Sequence, residues 1–100
     1  MIRVRFKTAN GLLTGFSLSG HAGAGEYGQD IVCAGVSSAA YMTANTITEI
    51  VGATANITVD DGLMSLTVTS RIDRCQDILS GFQLHLQALA EQYPKRIQLN

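Results

Sequence analysis

A histidine and a cysteine, two residue types that together do nucleophilic chemistry, lie 12 residues apart at His21 and Cys33 in a stretch rich in glycine and alanine. Asp30 precedes the apolar run 31–34 and suits a helix N-cap, which places Cys33 at the third position of a predicted helix. Unpaired backbone N–H groups and the positive end of the helix dipole favour an anion there. Because a helix N-terminus or a neighbouring imidazolium favours the thiolate form of cysteine, the segment favours a nucleophilic role for Cys33.

Asp30 has two predicted roles that are compatible with each other. As an N-cap, its carboxylate accepts a hydrogen bond from the backbone N–H of Cys33. As a third member of the site, it orients the imidazole of His21. We favour capping, because a thiolate is easier to form than an alkoxide and a cysteine–histidine pair does not require a carboxylate.

These residues also have other interpretations. Considered alone, Cys33 is typical of a buried helical thiol and His21 of an ordinary loop histidine. A metal site would combine these two with Cys75 and His85, but the four show neither Cys-x-x-Cys nor His-x-x-x-His spacing, so we expect no metal. The glycine-rich segment 22–28 lacks the lysine of a phosphate-binding loop, so we expect no nucleotide cofactor.

Length and composition predict one small domain over residues 1–100. A chain of 100 residues, 46% of them hydrophobic, can bury one modest core. Its formal net charge of −1, from 7 basic and 8 acidic residues, gives no electrostatic reason for direct nucleic-acid binding. With no export signal and no apolar run of about 20 residues, we expect a cytoplasmic protein that does not bind a membrane. A reducing cytosol then predicts two thiols at Cys33 and Cys75 rather than a disulfide.

Hydrophobic periodicity predicts an α+β fold with the element order ββαββα and an optional final strand. The turn pairs Asn10-Gly11 and Asp61-Gly62 lie between alternating segments and predict two β-hairpins, with Leu12, Thr14, Phe16 and Leu18 on one face of the second strand. Helical spacing predicts one helix over residues 31–51 and a second from an Asp73 N-cap to Pro94. The hairpins should form one antiparallel sheet packed against both helices. The residues to which this pattern gives a structural role are Ser37, Ser38, Cys75 and His85.

The segment 20–38 resembles the bacterial ribosomal-processing cysteine proteases. Family members carry the motifs Gly-His-Ala, Gly-x-Asp-Ile-Val-Cys-Ala and Val-Ser, which stand here at residues 20–22, 28–34 and 36–37. Gly35 stands where many relatives have alanine, which is a minor departure. Outside this segment the resemblance is one of length and element order, and it extends over essentially the whole chain.

The resemblance implies an activity and the residues that carry it. Cys33 would be the nucleophile and His21 its base. The substrate would be the N-terminal extension of a bacterial large-subunit ribosomal protein, cut after a pair of aromatic residues in support of ribosome assembly, and the enzyme would be a homodimer. Three glycines would then act as hinges of a lid over the peptide: Gly23, Gly25 and Gly28.

Two other functions remain open on the sequence alone. A ribosome-associated module without catalytic activity could bind a peptide as an added strand at a sheet edge. A thiol redox sensor would use the same reactive cysteine, because a thiolate that attacks carbonyl groups is also readily oxidised. Neither function requires a cofactor.

Overall fold

A computed structural model of the protein describes residues 1–21 and 29–100, with the backbone only at Gln29 and Asp30. The fold is α+β, as the sequence predicts. In the described residues the elements follow in the order β1 Ile2–Ala9, β2 Leu12–Ser19, α1 Gln29–Asn45, a π-helical turn Thr46–Ile50, β3 Ala55–Asp60, β4 Leu63–Val68, a 3₁₀ turn Ile72–Cys75, α2 Gln76–Gln92 and β5 Ile97–Leu99.

The described strands form one five-stranded sheet in the order β3-β4-β2-β1-β5. The two predicted hairpins are present, and they join through antiparallel pairing of β2 with β4. The final strand β5 pairs parallel with β1, which makes the sheet mixed rather than wholly antiparallel. β5 can pair parallel with β1 because the preceding connection contains the helix α2 and is not a tight turn. The edges of the sheet are therefore β3 and β5.

Two-residue turns close both hairpins where the sequence predicts them. Asn10 and Gly11 both have positive φ, 53° and 77°. These are the angles of a type I′ turn, whose twist matches that of the two strands it joins. In the second turn Gly62 has a φ of 67°. Side chains with a Cβ atom avoid this region, so glycine is favoured at both turns.

A β-bulge changes the predicted face of β2. The register shifts between Lys7 and Thr8, which pair with Gly15 and Leu13 and leave Thr14 as the extra residue. As a result Leu13 packs against the core while Leu12 is exposed. The predicted face of β2 is therefore wrong at Leu12, before the bulge, and correct at Phe16 and Leu18, after it. The first residue of α2, Gln76, stabilises the bulge: its side-chain amide accepts from the Leu13 N–H at 2.9 Å and donates to the Leu13 carbonyl at 2.8 Å.

Both helices pack against one face of the sheet, as predicted. The centre of the core contains three aromatic rings: Phe16 and Phe82 have their centroids 4.7 Å apart, and Phe6 lies 5.8 Å from Phe82. Thr43 is buried in α1, and its hydroxyl donates to the Ala39 carbonyl at 2.8 Å, so burial leaves no polar group unsatisfied there.

The helix ends differ in detail from the prediction. The first helix begins at Gln29, continues through the π-helical turn, and stops before Gly52, whose φ of 75° fits a helix stop. Asp73 is not an N-cap, because a 3₁₀ turn precedes α2 and the residue before that turn is Arg71, with a left-handed φ of 50°. None of the described helices is long and apolar enough to cross a membrane.

Replacing Gly15 by alanine should destabilise the protein, because β4 leaves no room for a methyl group. A Cβ atom there would overlap the Leu66 carbonyl oxygen and lie 3.0 Å from the Thr67 Cα. We expect the free energy of unfolding to fall by about 3 kcal/mol, since paired strand backbones cannot move apart cheaply. The control is Gly81→Ala in α2, where the methyl group meets nothing within 4 Å and should stabilise the helix by about 0.5–1 kcal/mol. Urea unfolding measures both changes, and an undiminished stability of Gly15→Ala would contradict this strand packing.

Candidate active site

One cavity brings the predicted nucleophile and the predicted base to the same surface. It encloses about 170 Å³ and is lined by both His21 and Cys33. The cavity lies where the end of β2, the start of α1 and the β3–β4 hairpin meet. Much of its remaining wall is apolar and comes from Ile2, Leu18, Val36, Val59, Leu63 and Met64.

Cys33 lies on the face of helix α1 that lines this cavity, and residues one helical turn apart share this face. Ser37 and Tyr41, one and two turns further on, line the same cavity, whereas Val32 points into the core, and Val36 is buried in the core at the cavity wall. Cys33 itself is half-buried and packs against the core. Ser37, predicted to be a surface or packing residue of the helix, therefore belongs to the cavity wall. Ser38 instead lines a separate groove between α1 and α2.

The start of α1 places Cys33 deeper in the helix than the sequence predicts. Because α1 begins at Gln29, Cys33 is its fifth residue rather than its third, and Asp30 lies within the first turn rather than before it. The side chain of Asp30 is outside the described part of the structure. Its roles as a helix cap or as the group that orients His21 therefore stay predictions.

His21 lies two residues after the end of β2, and its imidazole is 62% exposed. Its Nε2 lies 4.0 Å from Oδ1 of Asp61, a carboxylate that is 98% exposed. An ion pair so open to solvent contributes little to stability. Asp61 belongs to the Asp-Gly turn, and from the sequence this pair predicts a hairpin turn and nothing else. The sequence therefore did not indicate that Asp61 lies beside His21.

Three backbone features fix the chain at His21. The Gly20 N–H donates to the Gly62 carbonyl at 2.9 Å, and the Met1 amino group donates to the His21 carbonyl. Gly20 has a φ of 87°, and a Cβ atom there would overlap the Met1 carbonyl oxygen. The glycine of the Gly-His-Ala motif therefore has a structural reason: only a residue without a side chain fits this turn out of β2.

The predicted lid hinges Gly23, Gly25 and Gly28 lie outside the described residues. Among the residues that are described, no group of three or more histidine, cysteine, aspartate or glutamate side chains could hold a metal ion. His85 is exposed and lines the groove between the two helices, which shares no lining residue with the cavity of His21.

The two cysteines have different environments, and no disulfide joins them. Cys75 is fully buried in the core. Burial raises the pKa of the Cys75 thiol, and the negative charge of Asp73 raises it further. Cys75 is therefore held as a neutral thiol, whereas Cys33 is half-buried at a cavity that also contains an imidazole. A thiol, an imidazole and apolar walls at one opening suit covalent chemistry on a partly apolar substrate.

Comparison with known proteins gives a consistent result along the whole chain. A family model described as cysteine protease Prp matches residues 1–98. The ribosomal processing cysteine protease Prp of Staphylococcus aureus is 36% identical over 93 residues, which cover 90% of this chain and 88% of the relative.

Two crystal structures of the essential ribosomal processing protease Prp from S. aureus are similar to this fold. The complex with a substrate peptide has a TM-score of 0.89 at 34% identity, over 100% of this chain and 98% of the other. The complex with a covalently linked product peptide has a TM-score of 0.89 at 35% identity, over the same shares of 100% and 98%.

Iodoacetamide should modify Cys33 much faster than Cys75 in the folded protein at neutral pH. Alkylation requires an accessible thiolate. Cys75 is fully buried, and because its pKa is raised, the fraction of Cys75 thiolate at neutral pH is lower than for an ordinary cysteine. We expect a rate ratio of at least about tenfold, measured by peptide mass spectrometry over time. In denaturing urea the two rates should become similar, and equal rates in the folded protein would contradict the environments described here.

Proposed function

The chain belongs to the cysteine protease Prp family, and from that membership we propose that it removes the N-terminal extension of a bacterial large-subunit ribosomal protein, with Cys33 as nucleophile and His21 as base. The observation that carries the residue assignment is that these two side chains line one cavity. The curated relative is named a ribosomal processing cysteine protease. The proposed substrate class rests on that name and on the motifs at residues 20–37.

The proposed reaction proceeds in two steps. His21 takes the Cys33 thiol proton, and the thiolate sulfur attacks the carbonyl carbon of the scissile peptide bond. The protonated imidazole then gives this proton to the leaving amine, the C–N bond breaks, and an acyl-thioester remains on Cys33. In the second step His21 takes a proton from water, the hydroxide attacks the thioester, and the N-terminal fragment leaves as a carboxylic acid while the thiol is restored.

A relative supports the covalent step. One S. aureus structure contains a covalently linked product peptide, and a covalent enzyme–product link is what nucleophilic catalysis generates. The negative charge on the oxygen during attack needs hydrogen-bond donors, and we assign these to backbone N–H groups at the start of α1. Asp30, whose predicted place is in the same turn, keeps its proposed role as cap or as the group that orients His21.

The open edge of the sheet supports peptide binding beside the cavity. β3 is an edge strand, so it has a row of backbone groups to which an extended peptide can add. Ile57 and Val59 of β3 lie on the face that the helices cover elsewhere, yet they are 43% and 54% exposed. Because Val59 also lines the cavity, a peptide paired with β3 would lead into it. Apolar walls there suit the aromatic residues that the resemblance implies next to the cut.

We also propose that the protein is a homodimer, as the resemblance implies, and that it is cytoplasmic, which fits a relative named as a ribosomal processing protease. We compare two surfaces of the described chain that could receive a second copy: the β3 edge, and a groove of about 630 Å³ between α1 and α2 that includes Met42, Ile78 and Phe82. If the dimer used β3, it would compete with the peptide. The groove between the helices is therefore the favoured surface.

Replacing Cys33 by alanine should abolish cleavage while leaving the fold and peptide binding intact. Loss of the nucleophile from a concerted site costs on the order of 10⁴–10⁶ in rate. The matched control is Cys75→Ala, which removes the other thiol from the core and should keep nearly the full rate at a small cost in stability. The measurement is mass spectrometry of the ribosomal protein precursor after incubation with each variant.

The same assay separates the alternatives. A peptide-binding module would bind the precursor in the wild type without changing its mass. A redox sensor would lose its response to peroxide with Cys33 but would not cut. Cleavage by Cys33→Ala at near the wild-type rate would contradict the cysteine-protease assignment of this residue.

A further inference from the structure

The β3–β4 turn lies directly against the imidazole of His21. A Cβ atom built on Gly62 would be 2.9 Å from Nε2 of His21, 3.5 Å from Cε1 and 3.6 Å from Cδ2. Real Cβ atoms essentially never approach another heavy atom to within 3.0 Å. The ring therefore occupies the space that any side chain at position 62 would take, and the turn limits its movement on that side.

The same turn also holds the backbone that leads to His21. The Gly62 carbonyl accepts the Gly20 N–H at 2.9 Å, in line with the pairing of Ser19 with Leu63 one residue earlier. Gly62 therefore constrains His21 in two ways. Its carbonyl binds the backbone N–H of the preceding residue, Gly20, and its Cα faces the imidazole ring. Gly62 further lines the cavity shared by His21 and Cys33.

The carboxylate in this turn is not the group that positions the ring. Asp61 Oδ1 is 4.0 Å from His21 Nε2, beyond hydrogen-bond range, and its side chain is 98% exposed. Attraction at that distance through solvent gives no fixed orientation. What bounds the imidazole is the contact with the Gly62 backbone.

On the basis of the function proposed above, we propose that Gly62 is a positioning residue: its missing side chain leaves the space in which the catalytic imidazole of His21 is held. A base must lie within hydrogen-bond reach of the proton that it moves. A displacement of about 1 Å in a catalytic group can cost on the order of 10²-fold in rate. Glycine is therefore required here for catalysis in addition to the turn, where its φ is 67°.

The chain contains a matched control for this proposal. Gly11 occupies the equivalent place in the β1–β2 turn, with a φ of 77°, and a Cβ atom there meets nothing within 4 Å. Alanine at either position carries a comparable backbone cost, but only at position 62 does the methyl group displace a catalytic side chain. The imidazole is the mobile end of an exposed side chain, so it can yield without disturbing the fold.

The test compares Gly62→Ala with Gly11→Ala in precursor cleavage, thermal unfolding and iodoacetamide modification of Cys33. We expect similar shifts in Tm, with kcat about 10- to 100-fold lower for Gly62→Ala and within about twofold of wild type for Gly11→Ala. The rate of Cys33 alkylation, which needs no substrate, should fall in Gly62→Ala towards that of His21→Ala. A purely structural role of Gly62 would leave that rate unchanged.

Further variants keep each outcome interpretable. Asp61→Asn should stay within about twofold of wild type, and a loss there without one in Gly62→Ala would overturn the proposal in favour of the ion pair. If Gly62→Ala does not fold, Gly62→Asn, which tolerates positive φ, is compared with Gly11→Asn in the same way. An active His21→Ala protein would refute the proposed base itself. If His21→Ala is inactive but Gly62→Ala is as active as Gly11→Ala, the result refutes only the role of Gly62.

Discussion

The antiparallel pairing of β2 with β4 is the interaction on which the candidate site depends. It joins two hairpins that could otherwise form separately, and its register places the end of β2 opposite the β3–β4 turn. Gly15 permits the close approach of the two strands, because a side chain there would overlap the β4 backbone. The hydrogen bond from Gly20 to Gly62 then continues the pairing to the residue before His21. The proposed base, His21, is thus held by long-range sheet pairing, and α1 adds the Cys33 thiol to the same cavity.

Local signals explain most of what the sequence predicted correctly. Asn10-Gly11 and Asp61-Gly62 predict two turns because the positive φ angles of such turns favour glycine and asparagine. The apolar stripe that ends at Pro94 marks α2, since proline cannot continue a helix. The motifs around His21 and Cys33 indicated the residues that line one cavity. Each of these features depends on residues that are near in the sequence, and each could be predicted without the sheet.

Two features that the sequence did not reveal depend on contacts between distant residues, and a third is local. The bulge at Thr14 is completed by Gln76, 63 residues away from the Leu13 that it binds. The contact of Gly62 with His21 exists only after β2 and β4 pair, so the Asp-Gly signal could be read only as a turn. Asp73 looked like a helix cap because its residue type is right, but the preceding left-handed Arg71 starts a 3₁₀ turn instead. Tertiary structure decided the first two.

The central claim, that Cys33 of this fold attacks the peptide carbonyl, is tested most directly by trapping the covalent intermediate. The wild-type protein is mixed with precursor, quenched in acid at short times, and analysed by intact and peptide mass spectrometry. The account predicts a transient species heavier than the enzyme by the N-terminal fragment minus one water, with the added mass on the peptide that contains Cys33, and none in Cys33→Ala. An acyl group on Cys75 or another residue, or cleavage by Cys33→Ala at the wild-type rate, would contradict it.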